Sequence, residues 1–356
     1  MHAIEPLTVT GGPDRRHRLR RWAAIAAFVY LTSTIVVMAS ERAYWYWAGI
    51  DLESILLIGV FYLIPTMAGL WALALAPARR THQVVLAAAV FAIVVEGVLT
   101  PIIYLDGPLP VMAFMFMGWH GLVAFVGFWY LARRWLVGRR HRMAAIVSVG
   151  FGAFWGAWAL SASVADPDEA VLAAGIETGR LDPTGFARYA FAVGATLAVA
   201  HWLIGLVWPE EWTPSRRSTR MVWFLAAAYM SVAVIPVVFW APAKLALLVG
   251  GTWWLLRRGA PDGEGAGAAG AGEPTIIEQL AGRVRLRSVA PILLMPAAAS
   301  LVYAAGWELA PSDGALTVVY GGLVGLQIVA GAAAYGWAAR RARRTPAPGG
   351  IDQAVS

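Results

Sequence analysis

Long apolar segments, separated by short polar connections, recur along the whole length of the chain. All but the eighth are close to the roughly 20 residues that an α-helix needs to cross the hydrocarbon core of a bilayer. Because a backbone in lipid must satisfy its hydrogen bonds internally, such segments are expected to be helices. The pattern predicts an all-α, polytopic integral membrane bundle of about ten transmembrane helices. The predicted spans are residues 22–40, 54–76, 83–105, 111–132, 143–165, 187–208, 219–240, 243–257, 288–306 and 315–338.

The arginines are distributed unequally between the two sides of the predicted bundle. Of 27 arginines, 24 lie on alternate connections, and only Arg42, Arg180 and Arg188 lie on the other side, where acidic residues cluster within 166–182. By the positive-inside rule, both termini are expected in the cytoplasm. The net charge of +7 then reflects topology and attraction to anionic lipid. We therefore expect membrane lipid as a partner, and no nucleic acid.

The overall composition agrees with a membrane protein and excludes several kinds of chemistry. Hydrophobic residues make up 59% of the chain and charged residues only 14%, whereas roughly a quarter of a soluble domain is charged. Cysteine is absent, which excludes disulfides, thiolate metal sites and cysteine nucleophiles. There is no phosphate loop, HExxH motif or nucleophile elbow. We expect no cofactor and no metal, and the sequence leaves open whether the protein is an enzyme.

A glycine- and alanine-rich stretch at 259–274 separates the first eight predicted spans from the last two. After it, Thr275 and Glu278 have the spacing of a capping box, and leucine and valine then alternate with arginine. This pattern predicts a short amphipathic helix over 275–286 on the inner leaflet. The chain thus divides into a basic cytoplasmic segment 1–21, an eight-span bundle 22–257, a cytoplasmic linker and amphipathic helix 258–287, two spans 288–338, and a cytoplasmic tail 339–356.

The first predicted span is open to a second interpretation. Arginines, an apolar run and the residues VMA before Ser40 are also typical of a cleaved signal peptide. The apolar run is long for a signal peptide, and we therefore favour a retained helix. The expected location is the cytoplasmic (plasma) membrane, which the chain crosses several times.

Two ionisable residues lie deep inside consecutive predicted spans. Glu96 is nine residues from Leu105, and His120 is nine residues from Val111, on either side of the short connection 106–110. At 1.5 Å per residue, both lie about 13 Å from the outer boundary, near the middle of the hydrocarbon core. Because a charge is costly at this depth, the glutamate should be either neutral or paired. We predict that the two side chains share one polar cavity formed by the second, third and fourth spans.

Further polar groups surround this pair in the sequence. Pro101 has no N–H, so the carbonyl of Gly97 should lack its helical partner. Thr100 and Tyr104 follow Glu96 at intervals of four residues and should lie on the same helix face. These three residues predict a polar stripe that leads to the outer surface.

Other candidates are less closely tied to the pair. Thr66 in the second span, Glu53 at its outer end and His201 in the sixth span are possible supporting residues. Glu41 and Glu53 are expected to be solvated charges at the membrane interface. The alternative is that they form the mouth of the same site. Lys244, the only lysine, should extend to water at the outer end of the eighth span.

Three functions are compatible with this pattern. The favoured hypothesis is proton-coupled transport of a small solute, because broken helices and a titratable group at the midplane are common in transporters. The second is an intramembrane enzyme that performs acid–base chemistry on a lipophilic substrate, and the third is a non-catalytic membrane scaffold. The sequence identifies neither the solute or lipophilic substrate nor the oligomeric state, and an oligomer is compatible with it.

Overall fold

The structure is a computed structural model that describes residues 15–44, 52–105, 107, 109–165, 181–209, 216–236, 238–258, 273–309 and 311–344. Over these residues the chain is all-helical and has no strand, which confirms the all-α part of the predicted fold class. Several of the helices are interrupted by π-helical or 3-10 segments. The first half comprises α1 (Arg15–Met38), α2 (Glu41–Tyr44), α3 (Leu52–Phe61), α4 (Leu63–Leu75), α5 (Thr81–Val94), the π-helix π1 (Val95–Leu99), a 3-10 helix (Pro101–Tyr104), α6 (Val111–Phe116), the π-helix π2 (Met117–Ala132), α7 (Arg133–Val137) and α8 (His141–Ala165).

The second half continues as a set of helices, several of which pack against helices of the first half. The segment that the sequence predicts as a linker falls mostly outside the described residues. The helices of this half are α9 (Pro183–Ile204), α10 (Arg216–Tyr229), the π-helix π3 (Met230–Val234), α11 (Ala241–Arg258), α12 (Ile276–Leu280), a 3-10 helix (Leu286–Leu293), α13 (Leu294–Leu309) and α14 (Asp313–Arg344).

Seven helical segments of the described chain are long and apolar enough to cross a membrane. Three of the ten predicted spans are not among them, so the count of ten is not confirmed. The predicted span 54–76 is divided at Tyr62 into α3 and α4, just before a proline. The predicted span 219–240 stops being helical after Val234, and 243–257 falls in an 18-residue helix that carries three basic residues. The seven segments are Leu19–Ala43, Thr81–Leu99, Val111–Val137, His141–Ala162, Pro183–Ile204, Leu286–Leu309 and Asp313–Arg344.

The central helix of the bundle is formed by α5 and π1. Its apolar window is completely buried, and it packs against α4, π2, α11 and α14. Alanine, valine and phenylalanine occupy most of its positions, so neighbouring helices approach it closely from all sides. A polar side chain on this helix therefore faces protein.

Close helix contacts near the site depend on glycine. At Gly331 in α14, an added Cβ would lie 2.0 Å from the carbonyl oxygen of Phe114, and at Gly118 in π2 it would lie 2.3 Å from the carbonyl oxygen of Gln327. Small residues permit this kind of approach between helices in membranes. The contact holds the part of π2 that carries His120 against α14.

We expect Gly331→Ala to lower the melting temperature of the detergent-solubilised protein, because its methyl group has no space and the two helices must separate. Overpacking of this kind costs about 1–3 kcal/mol. The matched control is Gly325→Ala in the same helix, where an added Cβ meets no atom within 4 Å. The control should be neutral or slightly stabilising, because alanine favours a helix over glycine. Equal melting temperatures for the two variants would contradict the close contact.

The segment after the predicted linker is less helical than the sequence predicts. The capping box is present, with the Thr275 hydroxyl accepting from the Glu278 N–H and the Glu278 carboxylate accepting from the Thr275 N–H. The helix, however, ends at Leu280 and does not extend to residue 286. The carbonyls of Leu280 and Gly282 accept hydrogen bonds from a buried arginine. Tertiary contacts thus take the place of further helical hydrogen bonds.

Candidate functional site

Three ionisable side chains meet in the interior of the bundle. His120 Nε2 lies 2.6 Å from Glu96 Oε1 and 3.6 Å from Glu41 Oε1. The side chains of His120 and Glu96 are 2% and 3% exposed, whereas that of Glu41 is 15% exposed. Glu96 and His120 are thus in direct contact, as predicted, whereas the shared polar cavity and its role as a proton or substrate site stay predictions. Glu41 was expected chiefly to be a solvated charge. Its contact with His120 instead agrees with the alternative, in which Glu41 belongs to the site.

A change of helix type positions Glu96. The chain passes from α5 into π1 at Val95, and the Thr100 N–H donates to the Val95 carbonyl, five residues back. Single π-helical turns are frequent at functional sites because they rotate side chains out of the α-helical register. Thr100 then adopts an extended conformation, and its hydroxyl donates to Glu96 Oε2 over 2.7 Å. Both carboxylate oxygens of Glu96 are therefore engaged.

Pro101, which follows this turn, leaves the Gly97 carbonyl without a helical donor, as predicted. Tyr104, however, does not form the predicted polar stripe with Glu96. The carbonyl of Gly97, four residues before Pro101, accepts a hydrogen bond from the Tyr104 hydroxyl over 2.8 Å. Tyr104 thus satisfies a backbone group and does not contact the Glu96 carboxylate. The π-helix and the 3-10 helix change the angular spacing of the side chains, so an interval of four residues no longer defines one face.

His120 lies in π2, which is 16 residues long. Its ring stacks on Phe116 with the centroids 5.8 Å apart, and the ring of Tyr62 lies 6.4 Å away. The next residue is Gly121, where a Cβ would lie 3.2 Å from the carbonyl oxygen of Ala88 in the central helix. The glycine lets π2 approach the central helix and brings the imidazole to the Glu96 carboxylate.

Glu41 reaches the site from α2, the short helix after α1. The hydroxyl of Tyr62, at the break between α3 and α4, donates a hydrogen bond to Glu41 Oε1. This is the oxygen that faces His120. Neither Glu41 nor Tyr62 could be assigned to the pair from the sequence, because each is distant from it along the chain. The only signal was the position of Glu41 at an expected span end.

The three supporting candidates occupy different places. Glu53 is exposed in the first turn of α3, and Thr66 is buried in α4 without a hydrogen-bond partner for its hydroxyl among the described residues. His201 is fully buried, and its carbonyl accepts from Arg133, thirteen residues after His120 along the same helical segment. Within the described chain, none of the three makes a hydrogen bond or ion pair with the Glu41–Glu96–His120 group.

Lys244 differs from its predicted position. It is 7% exposed and does not extend to water. Its ammonium group donates to the carbonyls of Ile103, Gly107 and Leu109 over 2.5, 2.7 and 2.7 Å. These acceptors lie in the connection between the central helix and α6. The lysine therefore fixes the connection that joins the two site-bearing segments.

The group offers two kinds of chemistry. A proton shared by His120 and Glu96 has a second acceptor close by in Glu41, and hydrogen-bonded networks of this kind relay protons in membrane proteins. The same three side chains each offer one ligand atom, all within 4.8 Å of one another, and so could hold a metal ion. Three protein ligands are the set found in catalytic zinc sites. The sequence suggested only two of them.

The observations define a class: a helical protein with membrane-type apolar segments and a buried glutamate–histidine–glutamate group. Comparison with protein-family models, curated proteins and solved structures found no match. The function is therefore argued from the geometry of this group.

Proposed function

We propose that the protein is a multi-pass protein of the plasma membrane that couples the movement of a small solute to the movement of protons. In this proposal the chain crosses the bilayer about ten times with both termini in the cytoplasm. The 24-to-3 distribution of arginines supports the orientation. The shorter helices α4, α10 with π3, and α11 would complete the count beside the seven longer segments.

One observation carries the proposal: His120 lies between a buried carboxylate and a partly exposed one. Glu96 is enclosed in the central helix, whereas Glu41 retains contact with the outside of the bundle. An imidazole can receive a proton at Nε2 from one carboxylic acid and pass it to a second carboxyl group that is ionised, because each of the two protonation states of the imidazole is accessible near neutral pH. The order Glu41, His120, Glu96 then forms a path from the outer end of the bundle to its middle.

The environment of the group supports a change of conformation during transport. Both Glu96 and His120 lie in π-helical segments, and the chain is broken at Tyr62 and again after Leu99. Interrupted helices beside a polar site near the midplane are a recurring feature of secondary transporters. Protonation changes the charge of the group and therefore its hydrogen bonds to Tyr62 and Thr100. We propose that this change favours one arrangement of the broken helices over another.

A second candidate function is favoured by the close approach of all three ligand atoms. An intramembrane enzyme could use the glutamates and the histidine as acid and base, or as ligands of a metal, on a lipophilic substrate. The two functions make different demands. A transporter must deliver its solute unchanged to the other side, whereas an enzyme must release a new compound.

The test uses the full-length protein reconstituted in liposomes that contain a pH-sensitive dye. A panel of sugars, amino acids, carboxylates and inorganic cations is added outside, and proton movement and solute uptake are recorded. We expect at least one solute to move protons, and Glu41→Gln to reduce this movement about 100-fold or more, the lower end of the effect of a missing proton-transfer group. Gln at position 41 still offers an oxygen to Tyr62.

Glu53→Gln is the matched control, because it removes an exposed glutamate from α3 and should leave the flux unchanged. Solute uptake without proton movement would contradict the coupling. Conversion of a lipophilic compound, detected by mass spectrometry, would favour the enzyme. If neither uptake nor conversion occurs, the scaffold hypothesis replaces both.

A further inference from the structure

A basic cavity lies at the end of the bundle where α7 ends and α8 begins, away from the Glu41–Glu96–His120 group. Its volume is about 720 Å³. It opens between the turn after α7 and the segment that leads into α13. No acidic residue of the described chain lines it. The cationic or titratable residues of its lining are Arg139, His141, Arg283, Arg285 and Arg287.

Within the described part of the chain, the basic side chains of the cavity have no side-chain partners. Among the described residues, none of the four guanidinium groups makes an ion pair or hydrogen bond with another side chain. The Nδ1 atom of His141 is buried and also has no hydrogen-bond partner there. A buried polar atom without a partner is costly, because its hydrogen bonds to water are not replaced. The cavity therefore presents unused donors to a ligand that can accept them.

Part of the cavity lining is apolar. Leu136, Val137, Pro291 and Leu294 line it, and Leu294 is 41% exposed. Beside it, Leu286 is 58% exposed at the beginning of an apolar segment that is long enough to span a membrane. A ligand in the cavity would thus meet both cationic groups and apolar side chains. An amphiphile satisfies both.

The backbone around the cavity is held in place before any ligand binds. Arg139 adopts a positive φ of 56°, a left-handed conformation that is unusual for a residue with a Cβ. Residues 281–285 are not helical, and Ala281 and Arg285 have extended backbone angles. Val284 is buried, whereas Arg283 and Arg285 on either side of it are exposed. A hydrogen bond from the Arg133 side chain to the Gly282 carbonyl fixes this segment to the bundle. The arginines therefore project from an ordered frame.

We propose that this cavity binds the phosphate-bearing headgroup of an anionic phospholipid, with the acyl chains along its apolar lining. The guanidinium group matches phosphate oxygens with two parallel donors. Basic pockets between membrane helices on the cytoplasmic side are suited to acidic lipid headgroups. The positive-inside rule assigns this arginine-rich end of the bundle to the cytoplasm. A lipid is favoured over a soluble phosphate ester because the apolar lining lies next to a membrane-type helix.

The experiment measures lipid retained by the full-length protein in nanodiscs of phosphatidylcholine with a minor share of phosphatidylglycerol. Native mass spectrometry after release from the disc should show one phosphatidylglycerol bound in preference to phosphatidylcholine. The variant R283Q/R285Q/R287Q should retain at least about tenfold less phosphatidylglycerol, because each arginine near an anionic headgroup contributes to the affinity. The matched control is R340Q/R343Q/R344Q, which removes the same charge from the exposed end of α14. It should bind as the wild type does.

Each other outcome overturns the proposal. If the control loses as much lipid as the cavity variant, only diffuse surface charge attracts the lipid. If phosphatidylglycerol is not preferred in the wild type, there is no headgroup site. If soluble glycerol phosphate displaces the lipid fully, the natural ligand is a free phosphate ester. A melting temperature near that of the wild type verifies that the cavity variant is folded, as expected for substitutions at exposed positions.

Discussion

Glu96→Gln is expected to abolish proton coupling in the reconstituted protein while leaving the protein folded. Glutamine keeps the shape of the side chain, an acceptor for the Thr100 hydroxyl and a hydrogen bond to His120, but it cannot bind or release a proton. Since Glu96 receives the proton from His120 in the proposed path, the loss should be about 100-fold or more in proton-dependent activity. Thermal unfolding should show a single transition similar to that of the wild type.

Infrared difference spectroscopy during a pH step gives a second measurement that requires no knowledge of the solute. A protonated carboxyl group absorbs at a frequency separate from that of a carboxylate or an amide. We expect the wild type to show a carboxyl band that changes with pH, and Glu96→Gln to lack it. The control Glu53→Gln should keep the band. Full activity with an unchanged pH profile in Glu96→Gln would mean that the glutamate only holds two helices together.

Arg133→Ala is expected to cause the largest loss of stability of any single substitution considered. The guanidinium group is fully buried and donates to the carbonyls of Leu280, His201 and Gly282 over 3.2, 2.6 and 2.7 Å. It also lies 5.1 Å from the ring centre of Trp208. Its removal leaves three carbonyls without their donor, and each buried group left unsatisfied costs about 1–3 kcal/mol. We expect a loss of about 3 kcal/mol or more.

The neighbouring arginine provides a matched control. Arg134 is exposed and donates one hydrogen bond to the Tyr130 hydroxyl, so Arg134→Ala should cost about 1 kcal/mol or less. Chemical unfolding of both variants in the same detergent measures the difference directly. A similar loss for the two would mean that surrounding helices, and not Arg133, hold the segment after α12 against the bundle.

The pairing of Glu96 with His120 could be predicted because it depends on local information. Two apolar spans joined by a short connection are antiparallel neighbours, and equal distances from that connection give equal depth. The capping box at Thr275 could be predicted for the same reason, since its partners are three residues apart. Such features depend on the order of residues along the chain and on the dimensions of a helix.

The ends of broken helices were less predictable, because helix type changes the direction of every side chain beyond it. Pro101 indicated that a carbonyl would be left without a partner, and Gly97 indeed finds its donor in a side chain. The identity of that donor, Tyr104, depended on the π-helical and 3-10 turns between them. The apolar pattern does not distinguish these helix types, since almost every residue of 94–105 is apolar whichever way it faces.

What the sequence determined by itself is the helical class of the protein and the pairing of two ionisable residues on consecutive helices, because a short connection places equal distances along the two helices beside each other. Only the tertiary structure decided that Glu41 joins the pair, that Lys244 is buried against the connection between the central helix and α6 and that Arg133 fixes a segment about 150 positions later in the chain. Each of these contacts joins residues from separate helices. Its formation depends on how all the helices pack together, because a buried charge is stable only where several distant backbone or side-chain groups converge on it.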